Sequence, residues 1–226
     1  RETLADGPLP VKQLGEILAE VYPDRSPSDC GNLAKSLTPL VQLPPRGLWR
    51  QAGGQVYSPV ENWLGRELRE PDPAELVRRY LCAFGPATPA DVTAWSGTTG
   101  MRDVFKALGD ELVVHKDERG KDVWDLAGLP LATGDEPAPV RLLGKYDNVW
   151  LSHAARDRVT TPDNRKQWMG LNGGVGSTVF VDGWLEGMWW QTDGGSLDVR
   201  LYRELTRAEQ SELDNELAAV SAFLES

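Results

Sequence analysis

The chain has 226 residues and a formal charge of −10 at pH 7, with 40% hydrophobic and 26% charged residues. This composition is typical of a soluble globular protein, and the absence of any apolar run of about 18 residues excludes a transmembrane helix. We find no secretion signal and only two cysteines, Cys30 and Cys82. We therefore expect a reduced, cytoplasmic protein with both cysteines in its core, and neither a zinc site nor a cofactor.

Residues 1–70 carry signals for helices followed by short strands. A helical tail at the start precedes a segment whose apolar residues recur at helical spacing, from Val11 to Val21. Ser26 followed by Pro27 predicts the N-terminus of the next helix. Short strands are expected at 40–43, 48–50 and 56–57, separated by turns rich in Pro and Gly. Three helices and a two-stranded ribbon are the order of a winged helix.

Residues 71–130 repeat this order. Asp72 and Thr88 each precede a proline and predict the start of a helix, and Thr98 or Thr99 is expected to cap a third helix that ends at Gly109. A hairpin is predicted from strands at 112–116 and 121–126. We interpret the two regions as a diverged tandem repeat of winged-helix domains.

The pattern becomes mostly β after a linker at 131–138. Strands are expected at 177–181, 184–190 and 197–205, joined by turns that contain Gly. Thr206 is expected to cap a closing helix. We predict an α+β chain in which two winged helices, at 1–70 and 71–130, precede a domain with a C-terminal helix at 139–226. Its strands are expected to form a small antiparallel β-barrel, with a curled sheet as the alternative.

One segment of this acidic chain is basic. Between Arg141 and Lys166 there are six basic residues and three acidic ones, and one of the two histidines, His153, lies among them. A local excess of positive charge indicates a surface that faces an anion, whereas the alternative is a polar hairpin with a solvated face.

Catalytic patterns are weak in this sequence. The Gly-rich run at 173–176 lacks the Lys-Ser/Thr of a phosphate loop and precedes a strand, so a hairpin loop is the plainer interpretation. Ser152 and His153 are adjacent, and on a strand they would point to opposite faces, which argues against a catalytic pair. Asp147 is a candidate general base, but a capping role is more common for this residue type in a turn.

Two further pairs of cations favour nucleic-acid binding. Arg102 and Lys106 lie four residues apart on the third helix of the second module, and Arg46 and Arg50 flank the tip of the first wing. Winged helices commonly reach DNA through these two elements, and each cation could hold a phosphate. A solvated surface is the alternative for each pair, and the charge of −10 argues against broad non-specific binding to DNA.

Several stretches are similar to the winged-helix DNA glycosylase family of the bacterial AlkZ/YcaQ type, and the similarity covers essentially the whole chain. The stretches that carry it are Pro-Pro-Arg-Gly-Leu-Trp (44–49), Trp63-Leu64-Gly65, Arg79-Tyr80-Leu81, Phe84-Gly85-Pro86-Ala87-Thr88-Pro89-Ala90-Asp91, Tyr146-Asp147-Asn148, Leu151-Ser152-His153, Arg156-Asp157-Arg158 and Val181-Asp182-Gly183-Trp184.

The resemblance implies hydrolytic removal of alkylated purines from double-stranded DNA and, in some members, unhooking of interstrand crosslinks. In the family a Gln-x-Gln or Gln-x-Asp motif of the first winged helix is thought to position the water. We expect neither form in this chain, and we expect the module that carries it to be missing before Arg1. No catalytic residue is therefore carried over, and whether this chain is an enzyme stays open.

The resemblance does imply a DNA-facing role for the segment from Tyr146 to Arg158. Arg156 and Arg158 are expected to hold phosphates beside the lesion, and Tyr146, Asp147 and His153 to line the groove. We expect a monomer. There are two competing interpretations: a non-enzymatic winged-helix regulator and an acidic module that binds other proteins. The salt dependence of binding separates the protein-binding module from the glycosylase and the regulator, because only contacts with phosphates lose affinity steeply as salt rises.

Overall fold

The computed structural model describes residues 2–168 and 176–226. The chain separates into two compact units, one ending at Pro71 and the other spanning Asp72–Ser226. Both contain helices and antiparallel sheet, which confirms the α+β class. No helix of the described residues is long and apolar enough to cross a membrane.

The first unit packs two helices on a small sheet. Its elements are β1 (Leu9–Pro10), α1 (Val11–Val21), α2 (Pro27–Leu37), β2 (Leu40–Gln42), β3 (Val56–Pro59) and α3 (Val60–Leu64), and the strand order is β1-β3-β2. Helices α1 and α2 approach closely because Gly15 and Gly31 lie where they cross. A Cβ at Gly15 would lie 2.1 Å from the carbonyl oxygen of Pro27, so only glycine fits there.

The structure corrects two local predictions for this unit. The opening helical tail is a single 3-10 turn, Glu2–Leu4, and residues 48–50 form turns instead of a strand. The amide of Leu48 donates to the Pro45 carbonyl at 3.0 Å, and Arg50 has a φ of 53°. A left-handed backbone does not fit a β-ladder, so the ribbon forms from β2 and β3.

The second unit begins with three helices and a hairpin, in the predicted order. These elements are α4 (Pro73–Phe84), α5 (Pro89–Ser96), α6 (Met101–Leu108), β4 (Leu112–Lys116) and β5 (Asp122–Leu126). The predicted caps at Asp72 and Thr88 are confirmed, and Thr88 forms a capping box with Asp91. The predicted cap at Thr98 or Thr99 is wrong, because α6 starts from Gly100 with a φ of 80°. Cys82 is exposed and only Cys30 is buried, which corrects the expectation that both are core residues.

An open four-stranded sheet follows, and it is covered on both faces. The elements after the hairpin are β6 (Arg141–Leu143), α7 (Asn148–Leu151), α8 (Pro162–Trp168), β7 (Ser177–Val181), β8 (Trp184–Gln191), β9 (Leu197–Leu201) and α9 (Arg207–Glu225). One face packs Val179 and Val181 against Leu213 of α9. The other packs Phe180 and Leu185 against Trp150 and Trp168.

The described residues do not form the predicted barrel. Their sheet has the order β6-β7-β8-β9, so β6 and β9 are edges and do not close on each other. Helix α9 satisfies the outer edge of β6 instead. The backbone amides of Val140 and Leu142 donate to the carboxylates of Glu212 and Glu216 at 3.0 and 3.1 Å. A helix therefore supplies the acceptors that another strand would supply in a closed barrel.

We predict that Glu216→Ala lowers the free energy of unfolding by about 1–3 kcal/mol, because it leaves the buried amide of Leu142 without its acceptor. Asp214→Ala on the same helix is the control, since it loses only an exposed contact with Gln210. Urea denaturation followed by circular dichroism measures both. Equal stability of the two variants would contradict this role for the carboxylate.

Candidate nucleic-acid interface

The part of the basic segment that follows β6 is helical, so it does not form the polar hairpin that was the alternative interpretation of the sequence. After β6 the chain forms the short helix α7 and then a 3-10 turn at Arg156–Arg158. The side chain of Asp147 accepts from the amide of Val149 at 2.9 Å and caps α7, so the capping role predicted for Asp147 is confirmed. The residue before it, Tyr146, has a φ of 62° and a side chain that is 60% exposed.

Two buried side chains, one on α4 and one on α5, hold this segment in place. The Tyr80 hydroxyl, on α4, donates to the carbonyl of Ser152 at 2.6 Å. The Asp91 carboxylate, on α5, accepts from the amide of Ala154 at 2.9 Å and from the amide and hydroxyl of Thr88, each at 2.7 Å. Tyr80 is 1% exposed and Asp91 is 8% exposed. A buried polar group is stable only when it is hydrogen-bonded in this way.

Asp91 is ionised despite its burial. Burial alone would raise the pKa of this carboxyl, but the hydrogen bonds from the Thr88 side chain, the Thr88 amide and the Ala154 amide lower its pKa below the ordinary value of 3.8. Three donors thus replace the water that the carboxylate loses. For Tyr80, burial and the charge of Asp91 both raise the pKa of the hydroxyl, which therefore stays a donor at neutral pH.

His153 is half-buried between Ser152 and Arg158. Its Nδ1 lies 2.9 Å from the Ser152 hydroxyl, and its Nε2 lies 3.0 Å from the carbonyl oxygen of Phe84 and also contacts the Arg158 guanidinium. Burial first, and the charge of Arg158 second, lower the pKa of His153 below 6.5. The ring is therefore neutral at pH 7, because a second proton would place a cation beside Arg158.

The serine and histidine do interact, contrary to the prediction that they point apart. That prediction assumed a strand, whereas Ser152 ends a short helix and its side chain faces the His153 ring. Ser152 is only 2% exposed. A nucleophile must reach its substrate, so the pair is a packing contact and not a catalytic one.

Arg156 and Arg158 combine internal contacts with surface exposure. Arg156 contacts the carbonyl of His153, and Arg158 donates to the carbonyl of Pro86 at 2.9 Å. The side chain of Arg156 is half-buried, and both its burial and the charge of Arg165 lower its pKa. Like charges held this close together create a positive potential that favours a bound anion.

The other predicted DNA contacts lie on separate elements. Arg102 and Lys106 are exposed on α6, one turn apart, and neither makes an ion pair with any described residue. Arg46 and Arg50 lie on the β2–β3 connection of the first unit, where Arg46 donates to the carbonyl of Gly53 at 3.4 Å. One segment of the second unit thus contains Tyr146, Asp147, His153, Arg156 and Arg158, and the structure brings His153 into contact with both arginines. Sequence reasoning missed Tyr80 and Asp91, which hold it.

Two sequence motifs remain to be located in the structure: the Gln-x-Gln or Gln-x-Asp triplet and the Gly-rich run. The letters Gln-x-Asp do occur once in the chain, at Gln191-Thr192-Asp193, so the expectation that the chain contains neither form is wrong. This triplet ends β8 and enters a turn, where Gln191 donates to the carbonyl of Gly195 at 3.2 Å. The triplet therefore does not lie in a winged helix, which is where the family motif is expected. The Gly-rich run at 173–175 lies outside the described residues, which contain no group of three metal-ligating side chains.

We predict that Tyr80→Phe lowers the free energy of unfolding by about 1–3 kcal/mol, because the Ser152 carbonyl loses its donor in a buried site. Tyr202→Phe is a matched control. Its buried hydroxyl has no hydrogen-bond partner among the described residues, so we expect no loss of stability. Thermal or urea unfolding of the two variants checks this, and an equal loss in both would count against the Tyr80 bond.

We predict that His153 makes the chain less stable as the pH falls from about 7.5 to 5.5. The unfolded chain takes up this proton near pH 6.5, and the folded chain does so only at lower pH because its pKa is lowered. The stability is thus complete well above pH 6.5 and is lost as the pH falls through 6.5 toward the lower pKa of the folded chain. His153→Gln should flatten the dependence of unfolding free energy on pH. An unchanged slope in His153→Gln contradicts the prediction.

Comparison with known proteins relates this chain to one family. A family profile described as DNA glycosylase AlkZ-like matches residues 1–223. No curated protein sequence matches. Among solved structures, the DNA glycosylase AlkZ of Streptomyces sahachiroi has a similar fold, with a TM-score of 0.77 and 23% sequence identity. The match covers 98% of this chain and 64% of the Streptomyces chain. Because the family profile matches almost every residue, the chain belongs to the AlkZ-like DNA glycosylase family.

Proposed function

We propose that this chain is the DNA-binding C-terminal portion of a monofunctional DNA glycosylase that removes alkylated purines by hydrolysing the N-glycosidic bond. The family match over residues 1–223 is the observation that carries the proposal. In this proposal residues 1–70 and 71–130 are tandem winged helices and residues 139–226 form the third domain. The proposed partner is double-stranded DNA, which the chain binds as a monomer.

Exposed cations supply the affinity for DNA in this proposal. Arg102 and Lys106 project from the same face of α6 without a protein anion to neutralise them among the described residues. An acidic chain can bind DNA when its cations are concentrated on the surface that meets the phosphates. The third helix of a winged helix is the element that commonly enters the major groove.

The segment from Tyr146 to Arg158 supplies the contacts nearest the lesion. Arg158 is exposed and lies beside His153, and the positive potential of Arg156 is reinforced by Arg165. Tyr146 holds an exposed ring on a left-handed backbone, an arrangement often found at functional sites. Asp91 and Tyr80 act indirectly, by holding the segment in the position from which it meets DNA.

The proposed chemistry makes modest demands on this part of the protein. An alkylated purine is already a good leaving group, so catalysis requires a positioned water and stabilisation of the positive charge that develops on the sugar. We assign neither task to a residue of this chain. In this proposal the water is oriented by the family's glutamine motif, which residues 1–130 lack, and unhooking of crosslinks is proposed only for a protein that has it.

We predict that the double variant Arg102→Ala, Lys106→Ala weakens binding to a short duplex that contains an abasic-site analogue, and lowers the slope of log affinity against log salt by about 2, close to one per phosphate contact. Fluorescence anisotropy at several salt concentrations measures both quantities. Arg207→Ala, an exposed cation on α9, is the control and should leave binding unchanged.

The same titration separates this proposal from its competitors. Binding that is insensitive to salt contradicts phosphate recognition and favours an acidic protein-binding module. Salt-sensitive binding without preference for the abasic duplex favours a non-enzymatic regulator. A base-release assay on a protein that contains both this chain and the glutamine motif then tests the glycosylase activity itself.

A further inference from the structure

We propose that the tip of the β2–β3 connection is an aromatic wedge, in which Leu48 and Trp49 enter a groove of duplex DNA and the Trp49 ring stacks on a base at an opened step. The inference rests on the proposed function, because it requires that the chain binds DNA. It goes beyond that function by assigning a stacking role to side chains that the phosphate-contact proposal does not use.

The tip presents apolar surface to solvent. The Leu48 side chain is 48% exposed and the Trp49 side chain is 51% exposed. The two residues are adjacent, at the far end of a connection that begins after β2 at Gln42 and ends before β3 at Val56. Exposed adjacent apolar side chains at the end of a loop do not contribute to a core, and such surface commonly serves binding.

The loop is held in one shape by its own contacts. The amide of Leu48 donates to the Pro45 carbonyl at 3.0 Å, and the amide of Gln51 donates to the Leu48 carbonyl at 3.1 Å. The two ends of the loop also meet closely. A Cβ at Gly53 would lie 3.0 Å from the ring of Pro45 and 3.1 Å from the amide nitrogen of Arg46. An ordered tip enters a groove at a smaller entropic cost than a mobile one.

Positive charge flanks the apolar tip. Arg46 and Arg50 lie on either side of Leu48 and Trp49, and the Arg50 guanidinium lies 5.7 Å from the centre of the Trp49 ring. Between Asp29 and Glu61 the sequence contains three basic residues and no acidic residue. The loop is therefore cationic although the chain as a whole is acidic.

Duplex DNA is the partner that fits this combination. Proteins that open a base step insert apolar side chains from the groove while nearby cations contact the phosphates on both sides. An indole offers a large flat surface for stacking on a base, and this stacking tolerates any sequence. An acidic protein partner would match the arginines alone and would not require an exposed ring beside them.

The test uses the 226-residue chain and a short duplex with 2-aminopurine at one position, whose fluorescence rises when its neighbour is unstacked. The unchanged chain is compared with Trp49→Ala, with Trp49→Phe and, as matched control, with Trp63→Ala. Trp63 is 54% exposed in the same unit, so its removal deletes an equally accessible indole outside the loop. Arg50→Ala completes the set.

We expect Trp49→Ala to lose about ten-fold in affinity, with no rise of 2-aminopurine fluorescence and an unchanged salt slope, because stacking releases no counterions. Trp49→Phe should keep part of the affinity and part of the fluorescence rise. Arg50→Ala should lower the salt slope by about 1. Trp63→Ala should behave like the unchanged chain.

Other outcomes overturn the wedge. If Trp49→Ala binds as tightly as the unchanged chain, or still unstacks the probe, the ring does not enter the duplex, although the proposed function stands. If Trp63→Ala loses as much affinity as Trp49→Ala, the effect is not specific to the loop. If the unchanged chain does not bind the duplex at either of two salt concentrations, the wedge and the DNA-binding function fail together.

Discussion

The second unit depends on one buried carboxylate. Asp91 receives hydrogen bonds from Thr88, at the start of its own helix, and from Ala154, in the basic segment. One side chain therefore fixes both the first turn of α5 and the position of a segment that is 63 residues distant in the chain. An ionised group with three donors is stable in this position, and the loss of any one donor would leave charge uncompensated inside the protein.

The basic side chains fall into two groups, those that bind groups of the protein itself and those that are exposed. Arg158 and Arg156 bind carbonyl oxygens of the protein and so help to hold the loop that carries them. Arg102 and Lys106 have no such task among the described residues and are available to a ligand. Because the chain has a net charge of −10, the few places where cations dominate would set the orientation of any bound polyanion.

The parts of the fold that the sequence predicted are those that local chemistry decides. The caps at Ser26, Asp72, Thr88 and Thr206 are confirmed because a capping side chain bonds within its own first turn. The segment after β6 could not be predicted in this way. A helix as short as α7 is unstable alone, and it forms because Tyr80, 72 residues earlier than Ser152, supplies a partner. The covering of the β6 edge could not be predicted for the same reason, since Glu212 and Glu216 become acceptors for β6 only after folding.

The carboxylates of α9 also keep the edge of β6 covered, and loss of this helix would expose that edge. While the helix is in place, the outer amides of β6 are occupied and the edge cannot pair with a strand of another molecule. Unwinding or cleavage of the last helix would uncover this edge together with the apolar face beneath Leu213. An exposed strand edge beside apolar surface is a template for intermolecular β-pairing. The C-terminal helix thus protects the molecule from self-association as well as stabilising its fold.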